Sequence, residues 1–203
     1  MLLTTIRPLL LASASPRRRQ MLEHLGLTFT ADTADIDESL TRGENPRDFV
    51  LRLAGDKAVT VAGRHPDSWV LAADTVVVIG NTIMGKPADD ADAARMLGQL
   101  SGRTHQVWTG YCLFCCQGER LRRRAVMTEV EFRPLSEALI RAYVASGEPL
   151  DKAGGYGIQG LAAAMVGAIR GSYTNVVGLP LAEVIEDLLD LGVVTPRSPQ
   201  GKW

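Results

Sequence analysis

Leu9-Leu10-Leu11-Ala12-Ser13-Ala14-Ser15-Pro16-Arg17-Arg18-Arg19 is the stretch that decides how this chain folds. The apolar run Pro8–Ala12 reads as a short buried strand. Ser15 followed by Pro16 is a helix start, because serine caps free N–H groups and proline at the first helical position forfeits no hydrogen bond. The helix so opened is expected to run to about Leu25. A strand therefore passes straight into a helix.

Asn45-Pro46 gives the same start signal, and Phe49, Val50, Leu53, Ala54, Lys57, Ala58 and Val61 follow at helical spacing to about Ala62. Trp69–Ile79, rich in Val, Leu and Ala, reads as a buried strand closed by a Gly80-Asn81 hairpin turn. Further helices are expected at about Ala88–Leu100, Leu135–Ala145 and Pro180–Leu191. Val107–Cys116 and Ala125–Phe132 read as paired strands with Gln117-Gly118 near their turn. Strands, hairpins and helices in this order predict an α/β chain with a mixed sheet rather than a regular βαβ series. No repeat or linker divides it, so residues 1–194 form a single domain. Thr195–Trp203, with two prolines and no apolar period, reads as a frayed tail.

The 203 residues are 46% hydrophobic and 22% charged, the balance of a globular chain. Lys and Arg (22) nearly cancel Asp and Glu (23), for a net charge of -1. Neither nucleic acid nor an anionic membrane is implied, so a phosphate site has to be a local concentration of positive charge. No apolar run reaches the ~18–20 residues that span a bilayer, and the first residues lack the order of a secretory signal. Cys112, Cys115 and Cys116 are an odd, clustered set that forms no disulfide framework or zinc site. They read as small buried residues in a reducing cytoplasm.

The candidate chemistry starts where the first strand meets its helix. A helix N-terminus with free N–H groups, two serine hydroxyls (Ser13 and Ser15) and adjacent arginines suits an anion, although a capped surface helix with solvated arginines has the same composition. Asp74 lies inside an apolar strand, where a carboxylate is costly unless it is paired, metal-bound or catalytic. A strand-end aspartate bonded to backbone N–H groups also satisfies that pattern. Asp35-Ile36-Asp37-Glu38 offers further metal ligands or a solvated loop. Lys57, beside an apolar stripe, and Lys86, in the restrained Gly85-Lys86-Pro87 turn, are point charges within reach of a polyphosphate. Four glycines in Asp151–Gly160 mark a loop that approaches a ligand or another chain closely, or a connector. Gly171–Pro180 reads the same way. Arg120–Arg124 is read as a solvated hairpin tip rather than a functional determinant.

The wording of these segments goes further than their physics. Leu11–Arg18, Ala73-Asp74-Thr75, Gly85-Lys86-Pro87, Ser101–Val107, Asp151–Gly160 and Gly171–Leu181 together resemble the Maf nucleotide pyrophosphatases, colinearly from about Leu9 to Leu191. The resemblance implies an elongated mixed-sheet fold related to the inosine triphosphate pyrophosphatases, often homodimeric. It also implies hydrolysis of a nucleoside triphosphate to the monophosphate and pyrophosphate with Mg²⁺ or Mn²⁺. On that pattern Asp74 activates water, Glu38 and Asp74 hold metal, and Ser13, Ser15, Arg18, Lys57 and Lys86 grip phosphates. Arg17, Thr75 and Gln159 agree with the branch that prefers dTTP and UTP. The 7-methyl-GTP branch tends to Trp, Gln and Glu there. An amide such as Gln159 both donates and accepts, which suits the imide edge of uracil and thymine. Gly155 stands where the family usually has Ala. A non-catalytic nucleotide-binding regulator of septum formation would need the phosphate grip but not Asp74. A nucleic-acid binder using the arginine run would show strongly salt-dependent binding.

Overall fold

The computed structural model describes residues 2–116 and 120–197. In chain order the elements are β1 (Leu3–Thr5), β2 (Leu9–Ala12), α1 (Pro16–His24), β3 (Thr30–Asp32), α2 (Pro46–Ala62), β4 (Trp69–Ile79), β5 (Thr82–Met84), α3 (Asp90–Leu100), β6 (Thr104–Cys115), β7 (Arg120–Phe132), α4 (Glu137–Ala145), β8 (Val166–Arg170), α5 (Tyr173–Val177), α6 (Leu181–Asp190) and β9 (Val194–Pro196). Three short 3-10 turns occupy Glu148–Asp151, Ala153–Gly155 and Leu161–Met165. The expected start signals act as such: Ser15 and Asn45 cap α1 and α2, each with proline next in line.

Seven strands form one sheet in the order β3-β2-β4-β6-β7-β8, with β5 added to β4. β2 runs parallel to β3 and β4, and the other pairings are antiparallel, which is the expected mixed α/β sheet. β4 is buried on both faces. Val70, Ala72, Val76 and Val78 lie in the clusters that α2 covers, while Leu71, Ala73, Val77 and Ile79 belong to the larger core on the other face.

Two features of this sheet create a site. β2 pairs with β4 only as far as Ala12↔Ala72, and β5 joins the same edge only from Val77↔Met84. Between them the β4 edge around Asp74 and Thr75 is left open, a notch at the carboxyl end of β2 where ligands of open α/β sheets bind. The second feature is Gly110, which sits opposite Asp74 in the β4–β6 register. A Cβ at Gly110 would lie 2.5 Å from the Val50 carbonyl oxygen, so only glycine lets α2 approach this closely. That approach brings Lys57, two turns on from Val50, over Asp74.

The structure departs from the sequence-based expectations in two places. Arg120–Arg124 is strand rather than hairpin tip, pairing with Cys115–Tyr111 of β6. Arg124 is bonded to Glu186 at 2.6 Å and to the fully buried Asp187, which Tyr111 also contacts at 2.6 Å. Alternation along a strand sends neighbouring arginines to opposite faces, and a carboxylate waits on one of them. The expected turn at Gln117-Gly118 lies outside the described residues. The tail is ordered further than expected, since Thr195 and Pro196 pair with Thr4 and Leu3, while 198–203 lie outside the described residues. Cys112 and Cys115 are buried and free, and burial pushes the Cys112 thiol up to about 12. Among the described residues no helix is long and apolar enough to cross a membrane.

Candidate active site

The notch opens into a cavity of about 650 Å³ lined by Ser13, Ser15, Arg17, Arg18, Glu38, Lys57, Asp74, Thr75, Lys86 and Gln159, whereas Asp35 and Asp37 of the acidic segment do not line it. Lys57 is its electrostatic centre. Its ammonium lies 2.6 Å from Glu38 Oε1 and 2.7 Å from Asp74 Oδ1, with Lys57 and Asp74 each only 13% exposed. Burial raises the Glu38 carboxyl, but the Lys57 hydrogen bond and charge, helped by Lys86 and Arg18, outweigh it and hold Glu38 below the usual carboxylate range. Two carboxylates thus converge on the position of one cation.

Arg18 fills the open β4 edge. It donates to Ala73 O at 2.8 Å, Gly178 O at 2.7 Å, Ser13 Oγ at 3.2 Å and Thr75 Oγ1 at 3.0 Å. Burial lowers its pKa while the charge of Asp74 opposes the shift; guanidinium stays charged regardless. With four protein acceptors engaged, Arg18 holds α1, β4 and the Gly178 turn together at the floor of the cavity. Ser13 also accepts from the Ser15 N–H at 3.2 Å, so the chain entering α1 is folded back around its own hydroxyls.

Thr75 points to the opposite face of β4 from Asp74 and reaches the cavity through the notch. It lies 2.9 Å from Thr109 Oγ1, which donates to the Asn175 carbonyl at 3.0 Å. Arg18 can only donate and that carbonyl can only accept, so the Thr75 proton goes to Thr109.

Across the cavity lies the glycine-rich loop. Arg17 reaches Asp151 at 3.1 Å, and the Gly154 N–H donates to Gly85 O at 2.9 Å, tying the loop to the turn that carries Lys86. Gly154 needs to be glycine, since it has φ 69° and a Cβ there would meet the Val77 side chain at 2.7 Å. Tyr156 is buried and its hydroxyl lies 2.8 Å from His105 Nε2. Burial pushes the His105 pKa down to about 4, so the imidazole is neutral. Gln159 is the exposed residue after a buried run from Gly154 to Ile158.

Several supporting residues lay outside the sequence-based reading. Arg52 grips Glu44 through two bonds of 2.8 Å and the Ser39 carbonyl at 3.0 Å, fixing the loop that presents Glu38. Thr109 carries no local signal, since its partners Thr75 and Asn175 are distant in sequence, and Tyr143 and Glu148 look like ordinary helix and turn residues. Among the described residues there is no cluster of three or more His, Cys, Asp or Glu side chains able to hold a metal. A cation at Glu38 and Asp74 would therefore complete its shell with other oxygens.

The Maf-like protein family profile matches residues 8–191. The chain belongs to the Maf family. Curated Maf relatives include the dTTP/UTP pyrophosphatase of Geobacter sulfurreducens, 53% identical over 186 residues, covering 92% of this chain and 97% of the relative. That of Myxococcus xanthus is 50% identical over 188 residues, covering 93% and 94%. That of Sphingopyxis alaskensis is 53% identical over 186 residues, covering 91% and 97%. Among solved structures, the Ham1 protein of Staphylococcus aureus aligns with this Maf chain at TM-score 0.45 and 13% identity, over 62% of this chain and 72% of its own.

Proposed function

We propose that this chain is a nucleoside triphosphate pyrophosphatase that prefers dTTP and UTP and releases the nucleoside monophosphate and pyrophosphate. The observation that carries this reading is the Glu38–Lys57–Asp74 cluster at the notch, beside the N-terminus of α1. Its relatives' names give the substrate class.

In this reading the triphosphate lies along the N-terminal turn of α1, where free N–H groups, Ser13 and Ser15 receive phosphate oxygens. Lys57 and Lys86 supply point charges from the walls. Arg18 contributes a fixed positive charge and keeps the strand edge and helix in register. Asp74 takes a proton from water. The water oxygen bonds to the α-phosphorus as the α–β anhydride P–O bond breaks, and the departing pyrophosphate keeps the electron pair. Lys57 on Oδ1 orients that carboxylate.

The donor set fits a hard divalent cation of the kind held by one or two carboxylates plus substrate phosphates, with Glu38 and Asp74 as the protein ligands. When bound, Mg²⁺ or Mn²⁺ offsets charge on the phosphoryl oxygens. Arg17, Thr75 and Gln159 set the base preference. The reading includes a cytoplasmic homodimer, which sedimentation of the purified chain would test.

The decisive assay is pyrophosphate release from dTTP, UTP, CTP, GTP and 7-methyl-GTP with Mg²⁺ or Mn²⁺. Fast release from dTTP and UTP is expected. Preference for 7-methyl-GTP would overturn the base assignment, and no turnover of any nucleotide would overturn the activity.

A further inference from the structure

Gln159 stands between two backbone anchors. The Gly157 N–H donates to Tyr143 Oη at 3.1 Å, and the Leu161 N–H donates to Glu148 Oε2 at 3.0 Å. The anchors are joined to each other, because the Tyr143 hydroxyl donates to Glu148 Oε1 at 2.9 Å. Burial raises the Tyr143 pKa, so its phenol keeps the proton this bond needs. The result is a one-way circuit in which each oxygen of the carboxylate accepts and the phenol both accepts and donates. Lys152 Nζ closes on the Glu148 carbonyl at 2.6 Å. Glu148 lies so near the loop that a Cβ at Gly160 would overlap its carboxylate, which accounts for glycine beside Gln159. Neither Tyr143 nor Glu148 lines the cavity.

A fixed backbone under a side-chain amide has a specific consequence. The imide edge of uracil or thymine offers an N–H beside a carbonyl, and the lactam edge of guanine, N1–H beside O6, offers the same pair. A glutamine bonds equally well to either. The two differ in reach, because the guanine lactam edge sits a ring farther from the ribose. With the phosphates gripped at the α1 end, the position of the Gln159 backbone sets how much base fits between.

We propose that Tyr143 and Glu148 are positioning residues that fix the reach of Gln159 and thereby select a pyrimidine imide over the guanine lactam edge. The inference rests on the nucleotide pyrophosphatase reading above. Loosening the clamp lets the loop yield to the larger base.

The test is kcat/KM for UTP and GTP, measured on wild type, Tyr143→Phe, Glu148→Gln and Gln159→Ala. Tyr143→Phe removes the hydroxyl that links the anchors. Glu148→Gln is isosteric but leaves one acceptor where two donors need one each. Each is expected to lower the UTP-to-GTP ratio about tenfold, largely through KM, with the melting temperature recorded as a check on folding. In the Gln159→Ala background, Tyr143→Phe should leave the ratio unchanged, because the clamp acts through that amide. An equal loss on both nucleotides, or an undiminished effect without Gln159, overturns the clamp while leaving the activity standing. A wild type that hydrolyses neither nucleotide, or both equally, overturns the base preference and the clamp with it.

Discussion

Around Asp74 the cleft is held by ions, whereas around Gln159 it is held by backbone amides and glycines. At the first end, Lys57 bridges two carboxylates and Arg18 spends its guanidinium on four protein acceptors. At the second, the loop is bonded through Gly154, Gly157 and Leu161 N–H groups to Gly85, Tyr143 and Glu148. On the proposed function, the difference follows from what each end has to meet. A polyphosphate is recognised by charge that tolerates small displacements, while a base is recognised by directional hydrogen bonds and distance, which need a stiff support.

If that division is right, charge removal should be most severe at the first end. Asp74→Asn keeps the shape but not the proton acceptor, and kcat should fall about 10³-fold, read by pyrophosphate release. Turnover near the wild-type rate would remove Asp74 from the chemistry and break the comparison at its stronger half.

The second end should instead be sensitive to mild acid. Buried His105, bonded to Tyr156 of the loop, titrates near 4, against an ordinary value of 6.5. Between those values the unfolded chain binds a proton that the folded chain refuses. Stability should therefore drop as pH falls from 6.5 towards 4, by about 3 kcal/mol in all. Melting curves of wild type and His105→Gln across that range would show it, and a slope unchanged in the variant would rule His105 out as the cause.

Gly110→Ala sharpens the comparison from the sheet side. Its added methyl meets the Val50 carbonyl and forces α2 away from β6. A loss of about 2 kcal/mol is expected, from over-packing against backbone. Turnover should suffer beyond what stability explains, because Lys57 moves with α2. Unaltered melting and turnover would show that α2 has slack. The smallest effect belongs to Gln159→Glu, which should lower UTP turnover relative to 7-methyl-GTP about tenfold by removing a donor from the amide. An unchanged ratio would take Gln159 away from the base.

Much of the phosphate end was legible because its signals are local. Ser15-Pro16 announces a helix start, Asp74 is conspicuous among β4 valines, and a cap or a misplaced carboxylate is visible within a few residues. The loop 151–160 was legible as glycine-rich, but not what pins it. Tyr143 and Glu148 carry no pattern that separates them from ordinary helix and turn residues. Arg120–Arg124 misled for the same reason, since Asp187, which accepts Arg124, lies sixty-three residues away.

The sequence by itself determined the elements, their caps and the identity of the chemical groups, because hydrophobic period and capping act between near neighbours. Only the tertiary structure decided that β2 stops short of β5 to leave a notch, that Gly110 lets Lys57 descend onto Asp74, and that a tyrosine and a glutamate hold Gln159 in place. The first two are meetings between segments far apart in the chain, which exist only once burial of the core has brought them together, and the third depends on how the chain after α4 turns back on itself.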